Sequence, residues 1–351
     1  MNSKRLYLHI GQTKTGSKWI QKIFSLNAQM LMANGIEYPL PPGEIKGVQT
    51  INTFETNAQE LFSSKNTIQS ILPESLKHQT HSVLLSAEII FERIIISLDE
   101  SPEKINQELQ YINSLGFSEI HFLLLIRSPI ERIVSRLNQR IKTGFIESLP
   151  DNNAYSFFTK ESSFKKVSQF LDFISLHPFC KLTLLNYEVT KDDMITPLIN
   201  WLQLPENSLK TPEVSRINRS LSYEELYALT CIQGPARAQI PSIGFNWIRE
   251  LPELSIKKMY PSIEIQEMIW HENESYLGRI NALLPVKQQL HKEILPEFSV
   301  PEKLTFEPKQ LDILIHFLTQ HAQEKQPADP PAGKTFLQKC KRYIKKRISI
   351  R

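Results

Sequence analysis

Cysteine is scarce in this chain. There are three among 351 residues, Cys180, Cys231 and Cys340, far apart and in no paired motif. That argues against a disulfide framework or a cysteine-based zinc site, and it suits a reducing compartment. Long apolar runs are missing too: none approaches the roughly 18 residues that read as a membrane span. The opening MNSKRLYLHI runs straight into a strand-like segment and leaves no room for the apolar core of a secretory signal. A soluble, cytoplasmic protein is the expectation. There is no internal repeat and no carboxylate cluster of the kind a metal site needs, so no metal is expected. Acidic residues are absent from Lys334 to Arg351, where eight basic residues lie. The whole chain carries +4, so everything before that tail carries −4. The body is mildly acidic, the tail is a separate basic object, and no nucleic-acid partner is expected.

What is present begins with a core: 41% of the residues are hydrophobic, ample for one large domain or two small ones. The organising stretch is Leu6 to Trp19, LYLHIGQTKTGSKW. Leu6–Ile10 reads as a buried strand. A polar turn follows with Gly11 and Gly16, and an amphipathic helix starts at Lys18. Strand, glycine-bearing turn and helix together aim backbone N–H groups and a helix N-terminus at an anion. Lys14 and Lys18 add charge; Thr15 and Ser17 add hydroxyls. The loop reads as a phosphate or sulfate cradle. Gly11 and Gly16 have the spacing of a Walker A loop, GxxxxGK[ST], but Ser17 stands where its lysine belongs.

The alternation of elements then predicts the fold. Helix one is expected over about 18–34, stopped by Gly35. Residues 43–79 read as helical and polar. Ser82–Ser86 is a second buried strand, ending in Ser86-Ala87-Glu88. A helix is expected over 102–115, ended by Gly116. Ile120–Ile126 is the strongest apolar run and ends at Arg127. Ser128, Pro129 and Glu131 then carry three helix-start signals. A helix is expected within 151–176, a fourth strand at Leu182–Leu185, and a helix over about 192–204. This pattern predicts an α/β protein with a P-loop-like parallel sheet flanked by helices. Glu88, just past a buried parallel strand, is a candidate general base, or else a helix-start carboxylate.

Two stretches carry a family resemblance. K-T-G-S-K-W resembles the 5′-phosphosulfate loop of sulfotransferases, commonly K-[ST]-G-[ST]-[ST]-x. R-S-P-I-E-R-I-V-S-R-L-N-Q is similar to the motif with which that family holds a 3′-phosphate. The resemblance covers roughly residues 5–230. It implies transfer of a sulfuryl group from 3′-phosphoadenosine 5′-phosphosulfate (PAPS) to an acceptor hydroxyl or amine, without a metal. It gives Lys14 the bridging oxygen and leaving group, and the backbone of Thr15, Gly16, Ser17 and Lys18 the 5′-phosphate. Arg127 and Ser135 inherit the 3′-phosphate. Trp19 stands where some members stack a tryptophan on adenine, though core packing is an equal reading. Glu88 is the expected base, with His9 second. Lys18 departs from the family, which has Thr or Ser there.

The segment SRINRSLS is similar to a stretch in bacterial carbohydrate sulfotransferases. It makes Arg216, Asn218, Arg219 and Ser220 candidates for a lid on the nucleotide, and a carbohydrate or glycolipid the expected acceptor. Ser222 and Glu225 also have capping-box spacing. The expected plan is one sulfotransferase domain over 1–323, with a helical acceptor-side part at 234–323. Long helices are expected over 264–283 and 308–320. A Pro-rich linker at 324–333 and a basic amphipathic helix at 334–351 follow. That tail suits an anionic membrane surface, with docking onto the body or a disordered polycation as alternatives. Two other functions stay open: a P-loop kinase or nucleotidase, and a catalytically silent, membrane-tethered nucleotide binder.

Overall fold

A computed structural model describes residues 4–12, 14–39, 81–146, 148–151, 155, 164–213, 219–232, 234–251, 254, 256–324 and 348–350. The stretch 43–79, most of 152–163, the linker and most of the basic tail lie outside the described residues. The chain forms two compact units. The first takes residues 1–132, 162–215 and 270–292; the second takes 133–161, 216–269 and 293–351. This differs from the expected succession along the chain. Residues 270–292 come from the part expected to serve the acceptor, yet they belong to the unit that holds the first loop.

The first unit is built on five parallel strands: β1 (Arg5–His9), β2 (Ile36–Glu37), β3 (Ser82–Ser86), β4 (Glu119–Ile126) and β5 (Cys180–Asn186). Their order is β2-β3-β1-β4-β5. The strands read as apolar runs because both sheet faces are covered. On one face Tyr7, Leu84 and Leu123 pack with α1 (Ser17–Leu26) and, later in the chain, α8 (Ile195–Leu202). On the other, Phe122 meets Phe170 of α6 (Phe164–Ser175) with ring centroids 5.4 Å apart. Phe170 in turn meets Phe91 of α3 (Ile89–Glu100) at 5.7 Å. The fold is α/β.

Strand order decides where a ligand would sit. From β1 the chain moves by way of α1 and α2 (Ala28–Ala33) toward β3. From β4 it moves the other way, by way of α5 (Pro129–Lys142), to β5. The direction reverses between β1 and β4, and the crevice beyond their carboxyl ends is the topological switch point. The loop after β1 and Arg127 after β4 both lie there.

Helix one is not continuous. It breaks at Asn27, whose amide bonds the carbonyls of Ile23 (2.8 Å) and Lys210 (2.9 Å). The Asn27 side-chain oxygen, Oδ1, takes the Lys210 N–H at 2.8 Å. Gly35 and Gly116 have the positive φ of helix stops, 75° and 86°. After β5 comes one short turn, α7 (Tyr187–Thr190); α4 (Pro102–Ser114) lies between β3 and β4.

The second unit packs α9 (Tyr223–Thr230), α10 (Ile240–Glu250) and α12 (Pro308–Glu324) around Trp247, which is fully buried and donates to the Gln310 carbonyl at 2.9 Å. The long helix α11 (Ile263–Asn281), like α5, begins in one unit and continues into the other. A small parallel pair joins β6 (Leu304–Phe306) to β7 (Ile348–Ile350). The expected tail helix is therefore corrected at its end: Ile348 belongs to a strand.

Candidate anion-binding site

The loop continues β1 along the end of β4. The N–H of Ile10 bonds Leu123 O at 2.9 Å and that of Gln12 bonds Leu125 O at 3.3 Å. The Thr15 hydroxyl then donates back to the Gln12 carbonyl, closing the turn. Lys14 has φ 74°, uncommon outside glycine, and Gly16 has φ 79°. Gly16 caps α1, and a Cβ there would lie 2.5 Å from the Tyr187 ring. Glycine is needed at Gly16 for its conformation and for its neighbour. The first N–H groups of α1 have no intrahelical acceptor and point out of its start, where partial positive charge accumulates.

Beneath the loop lie polar atoms without hydrogen-bond partners among the described residues: Ser17 Oγ, His9 Nε2 and both side-chain heteroatoms of Gln12. All three residues are buried. Such atoms are rare in folded proteins.

Lys14 is half-buried. Burial pushes its ammonium down to about 8; Glu88 opposes that shift, while Lys18 and Arg127 add to it. Lys14, Lys18, Arg127 and Glu88 thus share one electrostatic neighbourhood. Glu88 is half-buried at the N-cap of α3, the helix-start position, and makes no cap bond with its side chain. Trp19 packs at the edge of the core around Tyr7, which favours its core reading. His9 is fully buried, and burial alone pulls its pKa down to about 3. It is neutral at physiological pH. An imidazole so reluctant to take a proton is a poor general base, and that second choice is withdrawn.

Arg127 directly follows β4 and is not free. Its Nε donates to Glu188 Oε1, its Nη2 to Glu131 Oε2 at 3.0 Å and its Nη1 to the Lys14 carbonyl at 3.4 Å. Its guanidinium stands 5.4 Å from the Tyr187 ring centroid. Burial resists ionisation of Glu188, but Arg127 and Lys191 outweigh it and hold the carboxyl below its usual value. Tyr187 and Glu188 carry no motif that assigns them a role from the sequence. The rule that singled out Glu88, polar residues just past a buried strand, applies equally to them at the end of β5.

Ser135 is half-buried on α5, in the second unit. Arg216 and Asn218 lie outside the described residues. Arg219 is a correction. It is buried in the second unit, and all five guanidinium donors are engaged: by both Glu225 oxygens at 2.7 Å, and by the carbonyls of Ser220, Trp247 and Leu251. Glu225 also forms the capping box with Ser222. The cap does not leave Arg219 free for a nucleotide; one carboxylate serves both. Ser220 is half-buried and contributes its carbonyl to Arg219.

Among the described residues no group of three or more His, Cys, Asp or Glu could hold a metal ion. No helix there is long and apolar enough to cross a membrane. Compared with protein-family models, with curated proteins and with solved structures, the chain matches none.

Proposed function

We propose that this protein is a sulfotransferase, moving a sulfuryl group from PAPS to an acceptor hydroxyl or amine, with a carbohydrate or glycolipid as the acceptor class. The observation that carries the proposal is the loop after β1. Lys14 lies inside the turn, Gly16 opens α1 in a left-handed conformation, and unpartnered Ser17 and His9 atoms lie beneath. The likeness of K-T-G-S-K-W and R-S-P-I-E-R-I-V-S to the family motifs points the same way.

The residues fit PAPS well at one end and less well at the other. At the loop, unpaired N–H groups and a basic side chain suit a 5′-phosphosulfate. At Arg127 two carboxylates already offset the guanidinium charge, which weakens its attraction for a 3′-phosphate. When bound, PAPS supplies the group that moves. The chain does the rest. The Lys14 ammonium neutralises charge that grows on the leaving phosphate, and the α1 N-terminus holds that phosphate in place. Glu88 takes the acceptor's proton.

The competing reading is a silent nucleotide binder, favoured by the engagement of Arg127 with Glu131 and Glu188. Calorimetry with 3′-phosphoadenosine 5′-phosphate (PAP) and with ATP, both without metal, tests the site. PAP binding without ATP binding is expected, and a preference for ATP would sink the proposal. A turnover assay with PAPS then separates enzyme from silent binder. Lys14→Ala should lower sulfuryl transfer by 100-fold or more, on the order of 3 kcal/mol of transition-state stabilisation.

A further inference from the structure

His9 is the last residue of β1, and the parallel register sets it directly beside Ser86, the last residue of β3. Its Nδ1 lies 2.7 Å from Ser86 Oγ. Its Nε2 points the other way and finds no partner among the described residues, although the residue is fully buried. The position is informative. A side chain at Gly11 would begin 3.0 Å from His9 Nε2 and 3.1 Å from both Ser17 Oγ and Thr15 Oγ1, the last of which donates to the Gln12 carbonyl. Two buried, unpaired polar atoms therefore flank the first turn of the loop from below, at the N-terminal end of α1. A buried imidazole nitrogen with no partner costs roughly 1–3 kcal/mol, so the arrangement needs a reason.

The geometry points to a role for this ring: we infer that His9 Nε2–H is a neutral donor to the anion held in the loop, with the Ser86 hydroxyl fixing the tautomer. The inference rests on the loop being an anion cradle, as proposed above, and adds a residue that the family motifs do not assign. Its chemistry is self-consistent. If Ser86 O–H donates to Nδ1, the single ring proton must sit on Nε2, and that nitrogen can only donate. A neutral donor adds no charge to a neighbourhood that already holds Lys14, Lys18 and Arg127. Ser86 is anchored for the task, since its carbonyl accepts the Gln21 amide from α1 at 3.1 Å. His9 is in this account a binding residue and takes no part in moving the acceptor's proton.

The test uses the full chain, with PAP and inorganic sulfate as probes. Ring nitrogen chemical shifts of His9 are read on the wild-type protein, without and with PAP. The expected result is a neutral ring protonated at Nε2 in the PAP complex, with the Nε2 signal moving on PAP addition. A ring protonated at Nδ1 in the complex, or an Nε2 signal that ignores PAP, would overturn the inference. Variants give an independent readout. Gln places an amide nitrogen near the position of Nε2, whereas Asn stops near Nδ1. His9→Gln should bind PAP and sulfate within about threefold of wild type, and His9→Asn should lose about tenfold, the effect of one hydrogen bond. Equal binding by His9→Asn and wild type would refute the role while leaving the sulfotransferase proposal intact. A wild-type chain that binds neither PAP nor sulfate would remove that proposal, and the inference with it.

Discussion

Lys14 has an unusual protonation balance. Held at about 8 by burial, its ammonium begins to lose its proton near physiological pH. An anion in the loop favours the charged form and raises that value. Binding is then at full strength below pH 8 and weakens as pH rises through about 8, where the free protein gives up the proton the complex keeps. Calorimetry at pH 8 in buffers of different ionisation enthalpy should show uptake of about half a proton per PAP bound. Glu108 of α4 works on stability instead. It is buried, neither carboxylate oxygen has a hydrogen-bond partner among the described residues, and burial raises it to about 7 against the opposing charge of Lys104. Because the folded value lies above the unfolded one, the protonated carboxyl's contribution is complete below about pH 4.5 and is lost as pH rises through 7. Glu108→Gln should therefore stabilise the protein by about 1–2 kcal/mol at pH 8 and change little at pH 5. Urea unfolding of both chains at the two pH values measures this directly.

At the scale of elements, the sequence was legible where one local pattern decides. Ser82–Ser86 is found as the strand its apolar run predicts. Gly35 and Gly116 stop helices, and Ser222 and Glu225 form their box. It was illegible where a distant partner decides. The break at Asn27 depends on Lys210, 183 positions away, so the stripe across residues 18–34 could only read as one helix. Arg219 sits in a basic, polar segment that looks like a lid, and only the folded second unit shows Glu225 and three carbonyls consuming it. β2 has two residues, too few for any period. The turn between β1 and α1 was legible, but the contacts that shape it were not, because Tyr187 and Glu188 arrive from β5. Gly16 tests that contact. Gly16→Ala must bear both a left-handed backbone and a clash with the Tyr187 ring. It should cost about 2–3 kcal/mol, seen as a melting point lower by several degrees, and adding Tyr187→Ala should return part of the loss.

At the scale of the molecule, the two units are interleaved along the chain, which passes between them after residues 132, 161, 215, 269 and 292. The last return to the first unit is not decoration. Gln288 accepts the Asn186 N–H at 3.1 Å and gives its own carbonyl to the Asn186 amide at 3.0 Å, closing the end of β5 beside Tyr187 and Glu188. A chain ended at residue 269 keeps every residue of the sulfotransferase-like motifs yet lacks this closure. It should lose cooperative thermal unfolding and near-ultraviolet circular dichroism, and it should bind PAP at least tenfold more weakly.

The same interleaving sets an order of events during synthesis. The loop around Lys14 is made well before the rest of its unit, which is not complete until residue 292 has been added. At translation rates of about 5–20 residues per second, that leaves roughly 15–55 s in which the nascent loop has no finished unit around it. On the proposed function, a nucleotide finds its complete unit only after that interval.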